Sequence, residues 1–252
     1  MSGAHPPKIS YRVVNRMKDY LATAEALDGY RAACRKNAMN WAARDGQGYE
    51  MATLSEKAEH FLQIVADAIP ILEGSEIVIL NPEADNGFPH TRPPNYICLP
   101  ASNCREKEAT KEFRITLAHE AIHVHQRMRP ELWRRFVEKE GWSWVPTETV
   151  PAEFRERTRI NPDTMACPFW AWESYMVPMP LFRPYRRPTL ANAEIEWLDM
   201  RSGTLFKDAP RTFLAKYGAQ IHQPEHPYEI YAEIFSEAGV ETTEELEKKM
   251  RV

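Results

Sequence analysis

Two histidines one helical turn apart, His119 and His123, enclose Glu120 in the middle of the chain. Apolar residues recur around them at helical spacing, at Phe113, Leu117, Ala121, Val124 and Met128. This periodicity predicts an amphipathic helix that begins near Thr110. Because residues four positions apart lie on the same face of a helix, a helix packed on a sheet can present both imidazoles to one cleft.

The same three residues have the spacing of a zinc-binding motif, His-Glu-x-x-His. Two imidazoles on one helix face can bind one zinc ion, and Glu120 then lies beside a water on the metal, whose proton it can accept. The motif therefore predicts a zinc hydrolase, most often a peptidase, with His119 and His123 as ligands and Glu120 as the catalytic base. The alternative is an ordinary helix face on which these side chains bind no metal.

Composition limits the partners that we expect for this chain. Its 252 residues, 43% hydrophobic and 27% charged, are typical of a soluble globular protein with one large domain or two small ones. A net charge of −4 indicates no broad basic surface, so we expect no nucleic-acid partner. We find no apolar targeting segment and no window near the ~18 apolar residues of a membrane helix. These features predict a cytoplasmic protein without a membrane partner, and they leave its oligomeric state open.

The four cysteines contain no Cys-x-x-Cys pair, and they are too few and too scattered for a disulfide framework or a four-thiolate metal site. They are predicted to be free thiols, in preference to a Cys98–Cys104 bridge.

The order of predicted elements favours an α+β fold, mostly helical, with a small sheet packed on the motif helix. Residues 9–70 are predicted to be helical, from apolar stripes that include Tyr11, Val14, Met17 and Leu21. Two β-branched or apolar runs, Glu76–Leu80 and Tyr96–Leu99, predict strands, and the Pro- and Asn-rich segment 82–94 between them predicts a loop. A further helix is predicted over 131–139.

The segment 141–208 is rich in proline and contains five tryptophans, at Trp142, Trp144, Trp170, Trp172 and Trp197. We expect extended chain at 169–177 and a hairpin around 201–203. The tryptophans are expected to be core residues rather than the wall of a peptide-binding cleft. Helices are predicted again over 210–217, 226–239 and 242–249. We expect one domain over 1–252, made of N-terminal helices (1–74), strands and motif helix (75–140), this insert (141–208) and C-terminal helices (209–252).

A catalytic zinc site usually has three protein ligands, so a third must come from elsewhere in the chain. His125 is two residues past His123 and lies about 200° away around the helix, which excludes it. Gln126 and Arg129 occupy the positions where one class of zinc peptidases has glycine and a third histidine, which excludes that class. The remaining candidates are Glu229, 106 residues after His123, and the alternatives His222, His226 and Asp163.

The run Glu229-Ile-Tyr-Ala-Glu233, together with His119–His123, resembles the gluzincin group of zinc metallopeptidases, which have a zincin-like fold. The resemblance implies Zn²⁺ as the cofactor, Glu229 as the third ligand and a peptide or protein as the substrate. It further implies that Glu233 accepts the free ring N–H of a ligand histidine.

The sequence does not choose the donor that stabilises the oxyanion of the reaction. The candidates are Tyr228, Tyr231, His222 and His226. The Tyr96–Leu99 strand is the expected sheet edge on which an extended substrate adds. The alternative function is a zincin-like binding or regulatory module with a structural or vestigial metal site and no proteolysis.

Overall fold

The computed structural model describes residues 12–14, 19–44, 48–104, 110–183 and 185–251. In this described part of the chain helices predominate over short strands, so the fold is α+β, as predicted. The helices are α1 Tyr20–Asp28, α2 Tyr30–Lys36, α3 Ala38–Ala42, α4 Glu56–Asp67, α5 Thr110–Met128, α6 Pro130–Lys139, α7 Ala152–Arg155, α8 Arg211–Tyr217, α9 Pro227–Glu237 and α10 Thr243–Arg251. The strands are β1 Arg12–Val14, β2 Glu76–Leu80, β3 His90–Arg92, β4 Tyr96–Pro100, β5 Trp142–Trp144, β6 Trp170–Trp172, β7 Met176–Leu181, β8 Glu194–Asp199 and β9 Thr204–Phe206.

The first sheet has the strand order β1-β2-β4-β3, with β1, β2 and β4 parallel and β3 antiparallel at the edge. The predicted strands β2 and β4 are confirmed. The predicted helix around Tyr11 is wrong at Arg12–Val14, which pair with β2 in the register Val13–Ile77. Tyr11 and Met17 lie outside the described residues. The loop predicted over 82–94 is wrong at β3, which is a strand paired with β4. This pairing is a tertiary contact that the local sequence of β3 does not predict.

The position of β4 corrects a second expectation. Because β4 is hydrogen-bonded to β2 on one side and to β3 on the other, it is an interior strand and cannot receive a substrate as an added strand. The edge strand beside the motif helix is β3.

The motif helix α5 covers Thr110–Met128 of the described residues and packs on β3, β4 and α9. Its apolar residues Phe113, Leu117, Ala121 and Val124 are buried, whereas Met128, in the last turn, is 62% exposed and does not belong to the core. Ala232 of α9 is fully buried, and small side chains at such positions let two helices approach closely. α5 therefore lies between a sheet and a helix that is distant in sequence.

The second sheet is antiparallel, with the order β5-β6-β7-β8-β9, and it includes the predicted hairpin β8–β9. Successive residues alternate between its faces. Trp170 and Trp172 pack against the main core, while Ala171 belongs to a separate apolar cluster on the other face. Four of the five tryptophans are buried, which confirms the core interpretation, and Trp144 on the edge strand β5 is 53% exposed.

The four cysteines are free thiols, and Cys98 and Cys104 are both fully buried. Among the residues that the structure describes, we find no helix with the length and apolar character that crossing a membrane requires.

Candidate metal centre

The helices α5 and α9 bring His119, His123 and Glu229 to one point. The Nε2 atoms of the two histidines are 3.0 Å apart. One carboxylate oxygen of Glu229, Oε2, lies 3.3 Å from His119 Nε2 and 3.1 Å from His123 Nε2. These three residues form a group whose ligand atoms could hold a metal ion. The structure thus brings together the three residues that the sequence assigned to a metal.

The donor set fits a zinc ion in chemistry and in size. Two imidazole nitrogens and one carboxylate oxygen are the ligands found in one common type of catalytic zinc site. Ligand atoms about 2.0–2.1 Å from a tetrahedral zinc ion lie about 3.3 Å from one another. The three observed distances, 3.0, 3.1 and 3.3 Å, are close to that value.

The ring of His123 is oriented by Gln126, one turn further along α5. His123 Nδ1 donates to Gln126 Oε1 at 2.7 Å, and Gln126 Nε2 donates to the backbone oxygen of Tyr228 at 2.9 Å. With its proton on Nδ1, His123 directs the lone pair of Nε2 at the Glu229 carboxylate. Two electron-rich atoms 3.1 Å apart require a cation between them, either a proton or a metal ion.

The charges of this pair also favour a cation. Burial acts to lower the pKa of His123, but the Glu229 carboxylate outweighs it and raises that pKa. Burial acts to raise the pKa of Glu229, yet His123 and His119 hold it well below its usual range. The site therefore keeps Glu229 ionised although it is only 1% exposed.

The second oxygen of Glu229 is held by a loop that leads from α7 towards β6. Asn161 Nδ2 donates to Glu229 Oε1 at 2.6 Å, which leaves Oε2 facing the histidines. The sequence analysis did not identify Asn161 or Gln126 as site residues. The position of Gln126 could have indicated its role, because it is three residues after His123 and so lies near the same helix face. Asn161 lies in an ordinary turn sequence, and nothing in that sequence predicts a contact with Glu229.

Replacement of Gln126 by alanine is expected to weaken zinc binding by about 10–100-fold, because the partner that orients His123 is lost. Competition with a chromophoric chelator measures the affinity. Gln126→Glu keeps the acceptor for His123 Nδ1 and loses the donor to the Tyr228 backbone oxygen, so it is expected to lose less zinc affinity than Q126A. Gln63→Ala, on the exposed face of α4, is the matched control. Equal zinc affinity of Q126A and Q63A would contradict the orienting role.

Glu120 lies beside His119 in the wall of a cavity, with its side chain almost fully buried. Among the residues that the structure describes, none forms a hydrogen bond with its Oε2 atom. Burial, followed by the nearby Asp163 carboxylate, raises the pKa of Glu120 well above its usual range, against the opposing effect of His123. A carboxylate whose second oxygen is available for a hydrogen bond, and whose pKa is elevated, is suited to accept and return a proton.

The cavity has a volume of about 600 Å³, and its lining combines polar and apolar groups. Besides Glu120, the polar part includes His119, Glu229, Asn161 and His222. The apolar part comes from α5, the segment before β3 and the chain around the start of β8, and includes Ile115, Phe88, Leu190, Ala193 and Ile195. Its size lies within the range of about 300–1,000 Å³ that is typical of sites for small ligands.

Three of the residues proposed to stabilise the oxyanion, Tyr228, Tyr231 and His226, make other contacts away from the cavity. Tyr228 packs among Trp133 and Trp170, and Tyr231 donates its hydroxyl hydrogen to Glu140 at 2.7 Å. Neither tyrosine lines the cavity.

His226, an alternative third ligand as well as an oxyanion candidate, is the N-cap of α9. Its Nδ1 accepts from the backbone N–H of Tyr228, and its Nε2 donates to the backbone oxygen of Cys167. Burial lowers its pKa to about 4, so the ring is neutral as these bonds require. Of the four candidates, only His222 lines the cavity.

Glu233 does not contact a ligand histidine, so the role that the gluzincin resemblance implied for it is wrong. Its carboxylate accepts from the backbone N–H groups of His222 and Gln223 and lies 2.7 Å from His222 Nδ1. These bonds anchor the loop before α9. Glu237 lies near the same pair and completes a second group of possible ligands, but His222 and Glu237 are exposed and Glu233 already has hydrogen-bond partners.

Two other candidates also have structural roles. Asp163 Oδ1 accepts from the backbone N–H and the hydroxyl of Thr91, both at 2.6 Å, so Asp163 holds β3 rather than acting as a third ligand. His125 Nδ1 accepts from Trp133 Nε1 at 2.9 Å, on a different side of α5 from the metal ligands, as its spacing predicts.

Comparisons of this chain with protein-family models, with curated proteins and with solved structures found no match. The inference of function therefore rests on the residues of the site and on their geometry.

Proposed function

We propose that this protein is a zinc-dependent metallopeptidase with His119, His123 and Glu229 as metal ligands and Glu120 as the general base. The observation that supports this most is the approach of two imidazole nitrogens and one carboxylate oxygen to within 3.0–3.3 Å of one another, from helices far apart in sequence. The resemblance of both motifs to gluzincins agrees with this proposal, and with it we propose a zincin-like fold.

The chemistry divides between the metal and the chain. Zinc, when bound, lowers the pKa of water and polarises the carbonyl of the substrate. Glu120 accepts a proton from the attacking water on its Oε2 atom, which is available for a hydrogen bond, and then delivers that proton to the leaving amine. Gln126 fixes the ring of His123 and Asn161 fixes the carboxylate of Glu229, so that the ligands need not reorganise during the reaction.

His222 is the residue that we assign to the developing oxyanion. It lines the cavity, and its side chain is 79% exposed. The hydrogen bond of its Nδ1 to Glu233 raises the pKa of His222, so the ring keeps a proton to a higher pH than a free histidine. A protonated imidazole at the mouth of the cavity is a suitable donor to a negatively charged oxygen.

Metal content and cleavage of a peptide library test the proposal together. We expect about one zinc ion per chain, loss of cleavage after chelation and recovery on adding zinc. His123→Ala is expected to lose both metal and cleavage, and His60→Ala, an exposed histidine of α4, neither. A wild-type chain that fails to bind zinc would overturn the metal site. Bound zinc without cleavage of any peptide would favour the alternative, a binding or regulatory module.

A further inference from the structure

The edge of the first sheet beside the metal centre is already used by the chain itself. In an antiparallel pair, alternate residues direct their backbone groups towards the partner strand and away from it. Thr91, the middle residue of β3, directs its N–H away from β4 and donates it to Asp163 Oδ1 at 2.6 Å. Just before β3, the backbone oxygen of Phe88 accepts from His90 Nδ1. An extended peptide on this edge would need the outward N–H of Thr91, which already donates to Asp163.

The residue that accepts this N–H belongs to the segment 159–163, which we call the edge segment. Near its start, the backbone N–H of Ile160 donates to Asn40 at 2.7 Å, and its oxygen accepts from Arg44, also at 2.7 Å. Further along, Asn161 binds Glu229 and Asp163 binds Thr91. The edge segment thus runs from buried polar side chains to the metal centre with a bond at almost every residue.

Extended substrates commonly bind by adding a strand to an exposed sheet edge, with backbone hydrogen bonds along several residues. Here Asp163 of the edge segment holds the outward N–H of β3, and the free space beside Glu120 is a cavity of about 600 Å³. A ligand within that cavity would contact the side chains of its lining and the metal, and such a volume holds about a few residues of peptide.

We propose that the substrates are short peptides of a few residues, bound within the cavity, and that long extended chains are excluded from pairing with β3. This inference rests on the proposed function, because it concerns the substrate of the same site. It replaces the expectation that a substrate strand adds beside Tyr96–Leu99.

A series of peptides of increasing length tests the proposal by binding, without requiring turnover. Zinc-loaded Glu120→Gln protein is titrated calorimetrically with peptides of one repeating apolar sequence, from about three to about twelve residues. We expect affinity to reach its maximum by about four or five residues and to gain less than about twofold beyond that length. Affinity that continues to rise by about tenfold or more between five and twelve residues would overturn it, as would failure of the short peptides to bind.

The Thr91 amide provides a second readout. In Asp163→Ala this N–H loses its acceptor, so its hydrogen exchange is expected to accelerate, whereas exposed Asp208→Ala leaves it slow. Because a short peptide is held within the cavity and not by this edge, adding one to zinc-loaded Asp163→Ala is expected to leave the Thr91 exchange rate unchanged. Renewed protection of Thr91 by a short peptide would show that short substrates pair with β3 and would overturn the inference. Protection by a twelve-residue peptide in this variant would show that Asp163 keeps long chains off the edge and would support the inference. Absence of hydrolysis by the zinc-loaded wild-type chain at every peptide length would instead contradict the proposed function, while the binding series would still report the length limit.

Discussion

Glu120→Gln is expected to keep its zinc and to lose hydrolysis by about 10²–10⁴-fold in kcat, the usual contribution of a positioned general base. Glutamine has nearly the shape of glutamate but cannot accept the proton of the attacking water. Glu120 is not one of the three residues whose ligand atoms converge, so metal affinity should stay within about twofold of the wild-type value.

Zinc content and single-turnover cleavage of one peptide, measured on the same preparation, check both parts of this expectation. Glu112→Gln, on the exposed first turn of α5, is the matched control and should change neither quantity. Full activity in E120Q would contradict the role of Glu120 as the base. Loss of zinc in E120Q would show that Glu120 supports the metal centre itself.

Glu229→Ala is expected to weaken zinc binding by more than about 100-fold. Loss of an outer partner of a zinc ligand alone costs about 10–100-fold, and this change removes the ligand itself. It also leaves Asn161 Nδ2 without its acceptor and leaves His119 and His123 as the two remaining ligands. Glu229→Gln keeps the side-chain volume and removes the charge, so it separates loss of coordination from loss of packing.

Chelator competition measures the zinc affinity of these variants, and circular dichroism checks that α5 and α9 remain folded. Glu244→Ala is the control, because Glu244 is exposed on α10 and belongs to neither group of possible ligands. Zinc affinity in E229A equal to that in E244A would contradict the assignment of the third ligand. Such a result would indicate that His119 and His123 bind the metal without Glu229.

The elements that the sequence predicted well are those with a strong local signal. The helix α5 has an apolar period with few interruptions, and β2 is a β-branched run bounded by turn residues. Pro227 at the start of α9 and Gly239 after its end mark the limits of that helix in the sequence. Such signals act within a few residues, so they can be read without knowledge of the fold.

The elements that were missed depend on partners far away in the chain. The strand β1 forms because Arg12–Val14 lie beside β2, about 60 residues later, and β3 forms against β4. Glu233 stands where the gluzincin-like pattern often has an aspartate, and its carboxylate accepts from the backbone N–H of His222 in the loop before α9. The partner that orients His123 is instead Gln126 of the same helix.

The sequence by itself determined that His119 and His123 share one face of a helix with Glu120 between them, because helical geometry fixes neighbours four residues apart. It also proposed Glu229 as their partner. Only the tertiary structure decided that Glu229 reaches them, because close packing of α9 on α5 sets that distance. It likewise decided that Asn161 binds Glu229 and that Asp163 binds the outward N–H of Thr91 at the sheet edge, since these bonds join segments that no local pattern connects.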